Sequence, residues 1–362
     1  MQIKPLVIGD LEIKVPIIQG GMGVRVSTAP LAAAVANCGG AGTIASVGLA
    51  YGTPENETDY LEASKKALRQ EILEARRLSS GVIGVNVMVA LTNYEDLVRT
   101  SAEAGANFIV SGAGLPLKLP EFVENRSTKL IIIVSSARAA NLIIKTWHRR
   151  YNRFPDAVVV EGPEAGGHLG FTLEELVQHT AGRLENLVTE VLGVVKEYEK
   201  KHSVAMPVIA AGGIFTGKDM VRFFRLGASG VQIATPFIAT HECSVAPEFK
   251  DKHINAREED LIIIKSPVGL PGRAIKTVFT ERVMKGIKVP FKCTYKCLIT
   301  CDPTKAPYCI AKALCNASIG DLDNGVVFAG SDAARVDKIV SVKELIEGIL
   351  SQAEEEISQN TG

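Results

Sequence analysis

The sequence predicts an α/β fold: a closed (β/α)8 barrel with a small, mainly helical C-terminal cap domain that carries a cysteine cluster. Three features predict it. Eight short apolar runs lack polar alternation, segments with helical marks separate them, and glycines gather just beyond the runs.

The runs are VPIIQGG at 15–21, AGTIAS at 41–46, VIGVNVMV at 82–89, FIVSGAG at 108–114, KLIIIVS at 129–135, AVVVEG at 157–162, PVIAAGG at 207–213 and GVQIATPF at 230–237. Such runs are strands buried on both faces, as in a parallel sheet. Between them, Ser27 precedes Pro30 and LAAAVA, and Thr172 with Glu175 spells a capping box; both mark helix starts. Eight strands suit a closed barrel, whereas an open doubly wound sheet more often has about five to seven. The 362 residues accommodate one barrel of about 250 residues and an appendage. The expected division is a barrel over 1–240, a cap or substrate domain with the cysteine cluster over 241–330, and a segment over 331–362 whose final helix, VSVKELIEGILSQAEEEI, returns to the barrel.

Lys plus Arg and Asp plus Glu each total 40, a formal net charge of zero, so no field draws the chain to nucleic acid or an anionic membrane. The N-terminal MQIKPLVIGDLEIKVP has no apolar core of a signal peptide, and no stretch approaches the roughly 18 apolar residues of a membrane span. The expectation is a cytoplasmic protein acting on a small molecule, with no nucleic-acid or membrane partner. A homodimer is expected only on the general abundance of symmetric pairs.

Gly20, Gly21, Gly23, Gly112, Gly114, Gly162, Gly166, Gly167, Gly212 and Gly213 fall at the carboxyl ends of the expected strands, the rim where barrel enzymes place their active sites. Glycine also serves ordinary turns, but its repetition on one rim suggests backbone closely approaching a large planar or phosphorylated ligand. AAGGIFTGKDM sets Gly212 and Gly213 before a helix opening near Thr216, and GVQIATPF adds Thr235. Loops after the seventh and eighth strands often bind phosphate through backbone N–H groups and a helix N-terminus.

EGPEAGGHLG at 161–170 places Glu161 and Glu164 around a glycine-rich turn ending in His168. Beyond a strand end, that imidazole can point over the barrel mouth, and a group titrating near pH 6.5 suits proton transfer. A lone histidine is more often structural, and the histidines at 148, 179, 202, 241 and 253 keep that reading.

QGGMG at 19–23, GVNVMV at 84–89, EGPEAGGHLG at 161–170, AAGGI at 210–214 and GVQIATPF at 230–237 together resemble the nitronate monooxygenase family and the closely similar FMN-dependent enoyl-acyl carrier protein reductases. The resemblance extends through PEFKDKHINARE, GRAIKTVFTERV and AGSDAARVDKI, and Ala234 stands where the family usually has glycine. It implies a non-covalently held FMN. Gly21, Met22 and Gly23 would line the flavin, Asn86 would bond near the ring, and Glu161, Gly166 and Gly167 would approach the ring or ribityl chain. Gly212, Gly213, Ala234 and Thr235 would hold the phosphate, Ala234 only if its φ is negative.

It also implies two chemistries. In nitronate monooxygenases the histidine matching His168 takes the α-proton of a nitroalkane, the nitronate gives an electron to FMN, and oxygen completes the conversion. In the reductases, NAD(P)H reduces FMN and hydride passes to an enoyl thioester. A nitronate and an enoyl thioester are therefore the two expected substrates, and a non-catalytic flavin- or metal-binding protein is the alternative of another class.

Cys38 and Cys243 stand alone, while Cys293, Cys297, Cys301, Cys309 and Cys315 crowd together. The first four of these, with spacings x3, x3 and x7, have the number and proximity for an iron–sulfur cluster or zinc, although the spacing is no standard pattern. Inert buried thiols are the competing reading. If CTYKCLITC is helical, Cys293, Cys297 and Cys301 share a face.

Overall fold

The computed structural model describes residues 2–293 and 295–359, with residues 56 and 57 described by their backbone alone. Residues 1, 294 and 360–362 lie outside the described residues, so Thr294 within CTYKCLITC and the two chain ends of the expected domains do too.

β1 (Leu6–Ile8) and β2 (Leu11–Ile13) form an antiparallel hairpin. The parallel strands are β3 (Ile17–Gln19), β4 (Ala41–Ala45), β5 (Val82–Met88), β6 (Phe108–Gly112), β7 (Lys129–Val134) and β8 (Ala157–Glu161). After the two-residue β9 (Gly167–His168), which lies off the barrel, come β10 (Val208–Ala211) and β11 (Gly230–Ile233). The eight parallel strands close in the order β10-β11-β3-β4-β5-β6-β7-β8. Each expected run contains one of them, and the fold is a TIM barrel.

Two-sided burial explains the missing alternation. Phe108, Val110, Ile131, Val159 and Ile209 point inward and pack with Leu6, Ile8 and Ile13 of the hairpin, which plugs the barrel. Ile109, Leu130, Ile132, Val158 and Val160 point outward into the layer shared with the helices. Each fully buried aliphatic side chain contributes roughly 1.5–3 kcal/mol, so both faces are predominantly apolar. The hairpin was not foreseen: its strands have three residues each, too short to show a period.

The helix at Ala29–Asn37 starts one residue later than Ser27 suggested, with Thr28 at its N-cap and no side-chain cap bond. Ser27 serves the glycine loop instead. Its hydroxyl accepts from Met22 N–H at 2.9 Å and from Gln19 Nε2 at 2.7 Å, and donates to the Gly20 carbonyl at 3.2 Å. The Thr172–Glu175 capping box is present.

The cap holds helices at Pro247–Ile254, Val278–Met284 and Ile310–Ser318, and also strands that sequence reading missed: β12 (Leu261–Lys265), β13 (Pro271–Ile275) and β14 (Val327–Phe328). β13 pairs antiparallel with β12, β14 and the distant β9. The pairings with β9 and β14 are long-range, so no local pattern announces them. The described residues of CTYKCLITC are not helical. Ile299 N–H donates to the Ala90 carbonyl at 2.9 Å, Thr92 N–H donates to the Cys297 carbonyl at 3.1 Å, and Thr92 Oγ1 donates to the Lys296 carbonyl at 2.9 Å. The segment is thus pinned along the loop after β5. The final helix, Val342–Gln359, packs on the barrel's helix layer, where the Gly217 N–H donates to Gln352 Oε1 at 3.1 Å.

Helix Ala29–Asn37 lies so close to β4 that a Cβ on Gly42 would sit 1.9 Å from the Ala32 carbonyl oxygen. Gly42→Ala should therefore cost about 1–3 kcal/mol or more, read as a lower denaturant midpoint at unchanged m-value.

Candidate functional site

The carboxyl ends of the barrel strands and the cap enclose a cleft whose empty space, open mouth included, is about 1690 Å³. Gly21, Met22, Gly23, Asn86, Glu161, Gly166, Gly167, His168, Gly212, Gly213, Ala234 and Thr235 all line it. Every residue nominated for flavin or proton handling therefore meets in one place, including the segment near Gly330 and Asp332 that returns from the chain's end.

The rim is bare backbone for steric reasons. A Cβ on Gly21 would lie 2.3 Å from Asn86 Cβ, and one on Gly166 would lie 2.5 Å from the Ala329 carbonyl carbon. Gly212 and Gly213 have φ of 89° and 74°, which L side chains rarely adopt. Ala234 has φ −124°, so its side chain is tolerated. Thr235 is buried, and its Oγ1 accepts the Gly330 N–H at 3.0 Å, which leaves the hydroxyl hydrogen free to donate into the cleft.

One part of the expected phosphate site is corrected. The helix Gly217–Leu226 is capped by its own carboxylate: Asp219 Oδ2 accepts Thr216 N–H at 2.9 Å, Thr216 Oγ1 at 2.8 Å and Phe215 N–H at 3.2 Å. With those donors taken, an anion would meet the Gly212–Gly213 turn and the Ala234–Thr235 segment rather than this helix end.

His168 is not on a free glycine turn. β9 pairs with β13, Gly167 opposite Arg273 and His168 opposite Gly272. The imidazole packs edge-on to Phe328 with ring centroids 5.0 Å apart, and Nε2 lies 2.7 Å from Ser266 Oγ. Burial lowers its pKa from 6.5 to about 4, so the ring is neutral at physiological pH rather than half-titrated. Arg273 anchors the preceding loop, its guanidinium donating to the carbonyls of Ala165, at 2.8 Å, and Pro163. Ser266, Phe328 and Arg273 were missed by sequence reading; each lies more than 90 residues from His168 along the chain, and no signal links them.

The two glutamates differ. Burial alone raises the Glu161 carboxyl to about 7. Glu164 is also raised, by burial and then by Asp332, while Arg273 opposes the shift.

Cys297 lines the cleft, with its thiol pushed up to about 11 chiefly by burial. Cys293, Cys301 and Cys309 are near enough to influence one another electrostatically. Among the described residues, however, no group of three or more His, Cys, Asp or Glu side chains is placed to hold a metal ion. The segment's non-helical course, held to the loop after β5 by the bonds to Ala90 and Thr92, is why Cys293, Cys297 and Cys301 do not share a helix face. No helix among the described residues is long and apolar enough to cross a membrane.

The model of the family "Nitronate monooxygenase" matches residues 4–103 and 90–352. The chain belongs to the nitronate monooxygenase family. It is 29% identical over 305 residues to a probable nitronate monooxygenase of Staphylococcus saprophyticus, covering 78% of this chain and 81% of that protein. A Staphylococcus aureus relative of the same description is 30% identical over 302 residues, with 75% and 78% covered. Among solved structures, FabK from Thermotoga maritima superposes with TM-score 0.73 at 30% identity, covering 96% of this chain and 95% of that one. A nitroalkane oxidase from Streptomyces ansochromogenes shares the fold, with TM-score 0.73 at 20% identity over 95% and 97%. The family's enzymes are flavin-dependent, and this member is an oxidoreductase of the FMN type.

Two measurements probe the site. His168 and the fully buried His253 both have pKa values lowered from 6.5 to about 4 by burial. Their contribution to stability is complete above pH 6.5 and is lost as pH falls toward 4, on the order of a few kcal/mol; urea midpoints should fall across that window. Ser266→Ala removes one hydrogen bond of about 1–1.5 kcal/mol from the imidazole and should lower turnover roughly tenfold while displacing the pH–rate profile.

Proposed function

We propose that this family member is an FMN-dependent oxidoreductase of the nitronate monooxygenase type, in which His168 is the base that takes the α-proton of a nitroalkane or nitronate precursor. The observation that supports it most is the neutral imidazole held over the cleft by Ser266 and Phe328.

The site fits FMN. Its floor is glycine backbone that a planar ring can approach. The Glu161 side chain lines the cleft and, among the described residues, makes no hydrogen bond or ion pair. Gly21, Met22, Gly23, Asn86, Glu161, Gly166 and Gly167 would line the ring and ribityl chain, with Gly212, Gly213, Ala234 and Thr235 at the phosphate. FMN supplies the electron-accepting and electron-donating chemistry when bound. The protein's part is to hold substrate against the rim, exclude water with the cap, and move one proton at His168. Protonating a ring this buried is costly unless a negative charge forms beside it, so proton abstraction is coupled to formation of the substrate anion.

A second reading, an NAD(P)H-dependent enoyl-thioester reductase, is favoured by the apolar side chains of Val24, Val47, Leu91, Leu298, Ile310 and Leu314 on the cleft walls. These would suit an acyl chain, and FabK is a relative at 30% identity. The non-catalytic alternative is set aside by membership in an enzyme family. Iron–sulfur or zinc binding at Cys293, Cys297, Cys301 and Cys309 has no support from the thiol geometry.

Anaerobic bleaching of the flavin by a nitronate, followed by nitrite release in air, is expected on the first reading; rapid bleaching by NADH or NADPH with no nitrite would replace it with the second. His168→Ala should keep its FMN and lose about 10²–10⁴-fold in turnover, measured as kcat against the visible flavin content.

A further inference from the structure

Six described residues carry a buried side-chain nitrogen or oxygen with no hydrogen-bond partner: Thr43, Ser46, Tyr51, Asn93, His148 and His253. Of these, Tyr51 is the one that lines the cleft. It is 4% exposed, and the atom left unmet is its phenol oxygen. The Cys297 and Cys309 thiols and the Tyr60 phenol are its polar neighbours. None of them takes its proton, and sulfur is a weak acceptor in any case. Burial, more than those neighbours, holds the phenol well above its ordinary pKa, so the hydroxyl keeps a proton to donate.

The ring is fixed from several sides. Tyr51 closes the turn after β4, its N–H donating to the Gly48 carbonyl at 3.2 Å, while Arg25 Nη1 donates to the Tyr51 carbonyl at 3.3 Å. The ring lies over Gly48, where a Cβ would sit 2.6 Å from Tyr51 Cδ2, and Tyr295 of the cap stands beside it with centroids 5.1 Å apart. The walls around it are apolar: Val24, Val47, Ala311 and Leu314 pack with Tyr51 in one cluster and line the cleft with it. This lobe is built by the loops after β3 and β4 and the helix Ile310–Ser318. His168 is held by other elements, β13, Ser266 and Phe328.

A hydroxyl withdrawn from water with its hydrogen bond unmade is costly, and a site holding such a group rigidly favours the ligand that completes the bond. We propose that Tyr51 is a specificity-determining residue: the apolar lobe takes the hydrocarbon part of the substrate, and the Tyr51 hydroxyl donates a hydrogen bond to an oxygen acceptor carried on that part, away from the carbon that reacts at His168. The substrate is then an oxygen-bearing aliphatic compound, not a plain alkyl one. The proposal rests on the oxidoreductase reading above and names the substrate class within it. A plain alkyl chain covers the hydroxyl without satisfying it, so the lobe discriminates against such a chain.

The test compares the wild-type holoenzyme with Tyr51→Phe, which keeps the ring and removes the donor. The probes are heptyl nitronate and its isosteres in which an ether oxygen, an acceptor with no proton of its own, replaces each outer methylene in turn. The readout is kcat/KM of each ether relative to the heptyl compound. One ether position is expected at which this ratio is about tenfold lower in Tyr51→Phe than in wild type, the loss of one neutral hydrogen bond. A ratio that Tyr51→Phe leaves unchanged at every position overturns the proposal, and is what a hydroxyl satisfied by water, or acting on the reacting carbon, would give.

If Tyr51→Phe loses its fold or its FMN, wild type alone decides: one ether must exceed its positional neighbours about tenfold, and a series without a preferred position overturns the proposal. The matching carboxylates, unreactive planar anions, give the same ratio as dissociation constants read from flavin absorbance. Nitronates that are not turned over, beside a carboxylate ratio that still falls in Tyr51→Phe, would sink the nitronate reading and leave the role of Tyr51 standing. A flat carboxylate ratio overturns that role.

Discussion

The antiparallel pairing of Gly167 and His168 with Gly272 and Arg273 is the interaction on which the site depends. It fastens the cap sheet to a loop that leaves the barrel at β8, and in doing so it fixes the histidine that, among the described residues, lines the cleft. Ser266 approaches from the turn between β12 and β13, Phe328 from β14, and Arg273 ties the 163–165 carbonyls from below. Backbone pairing supplies the position and side chains supply the orientation. The ring's low basicity follows from the same closure, because each contact that orients it also removes water.

Closure of the barrel sets the other half of the geometry. In-phase parallel pairing, with Glu161 level with Ala211 and Asn86 level with Ala45, brings the strand ends to one rim at a common height. The glycines there answer to neighbours rather than to ligand alone: Gly21 leaves room for Asn86, and Gly166 leaves room for the chain returning at Ala329. A bare rim is therefore demanded twice, by packing now and by a planar cofactor when present. The two glutamates of one short motif have different surroundings, since Glu164 faces arginines and carboxylates while burial alone acts on Glu161.

Where sequence reading misplaced a feature, a longer-range contact had displaced a local rule. Ser27 has the composition of a helix cap, yet its hydroxyl folds the Gly20–Met22 loop. Thr216 opens a helix as expected, but Asp219 consumes the donors that a phosphate would use. The cysteines at four-residue spacing would converge on a helix; hydrogen bonds to Ala90 and Thr92 hold that segment against the loop after β5 instead.

The sequence by itself determined the barrel, its eight strands and the glycine-lined rim, because strands buried on both faces and turns of bare backbone are local properties that each segment writes into its own residues. It also singled out His168 and Glu161 through one ten-residue motif. Only the tertiary structure decided how those groups behave. The cap strands, Ser266, Phe328 and the unpartnered surroundings of Glu161 arise from pairings between segments roughly a hundred residues apart, and protonation depends on what surrounds a side chain in space, which no spacing along the chain records.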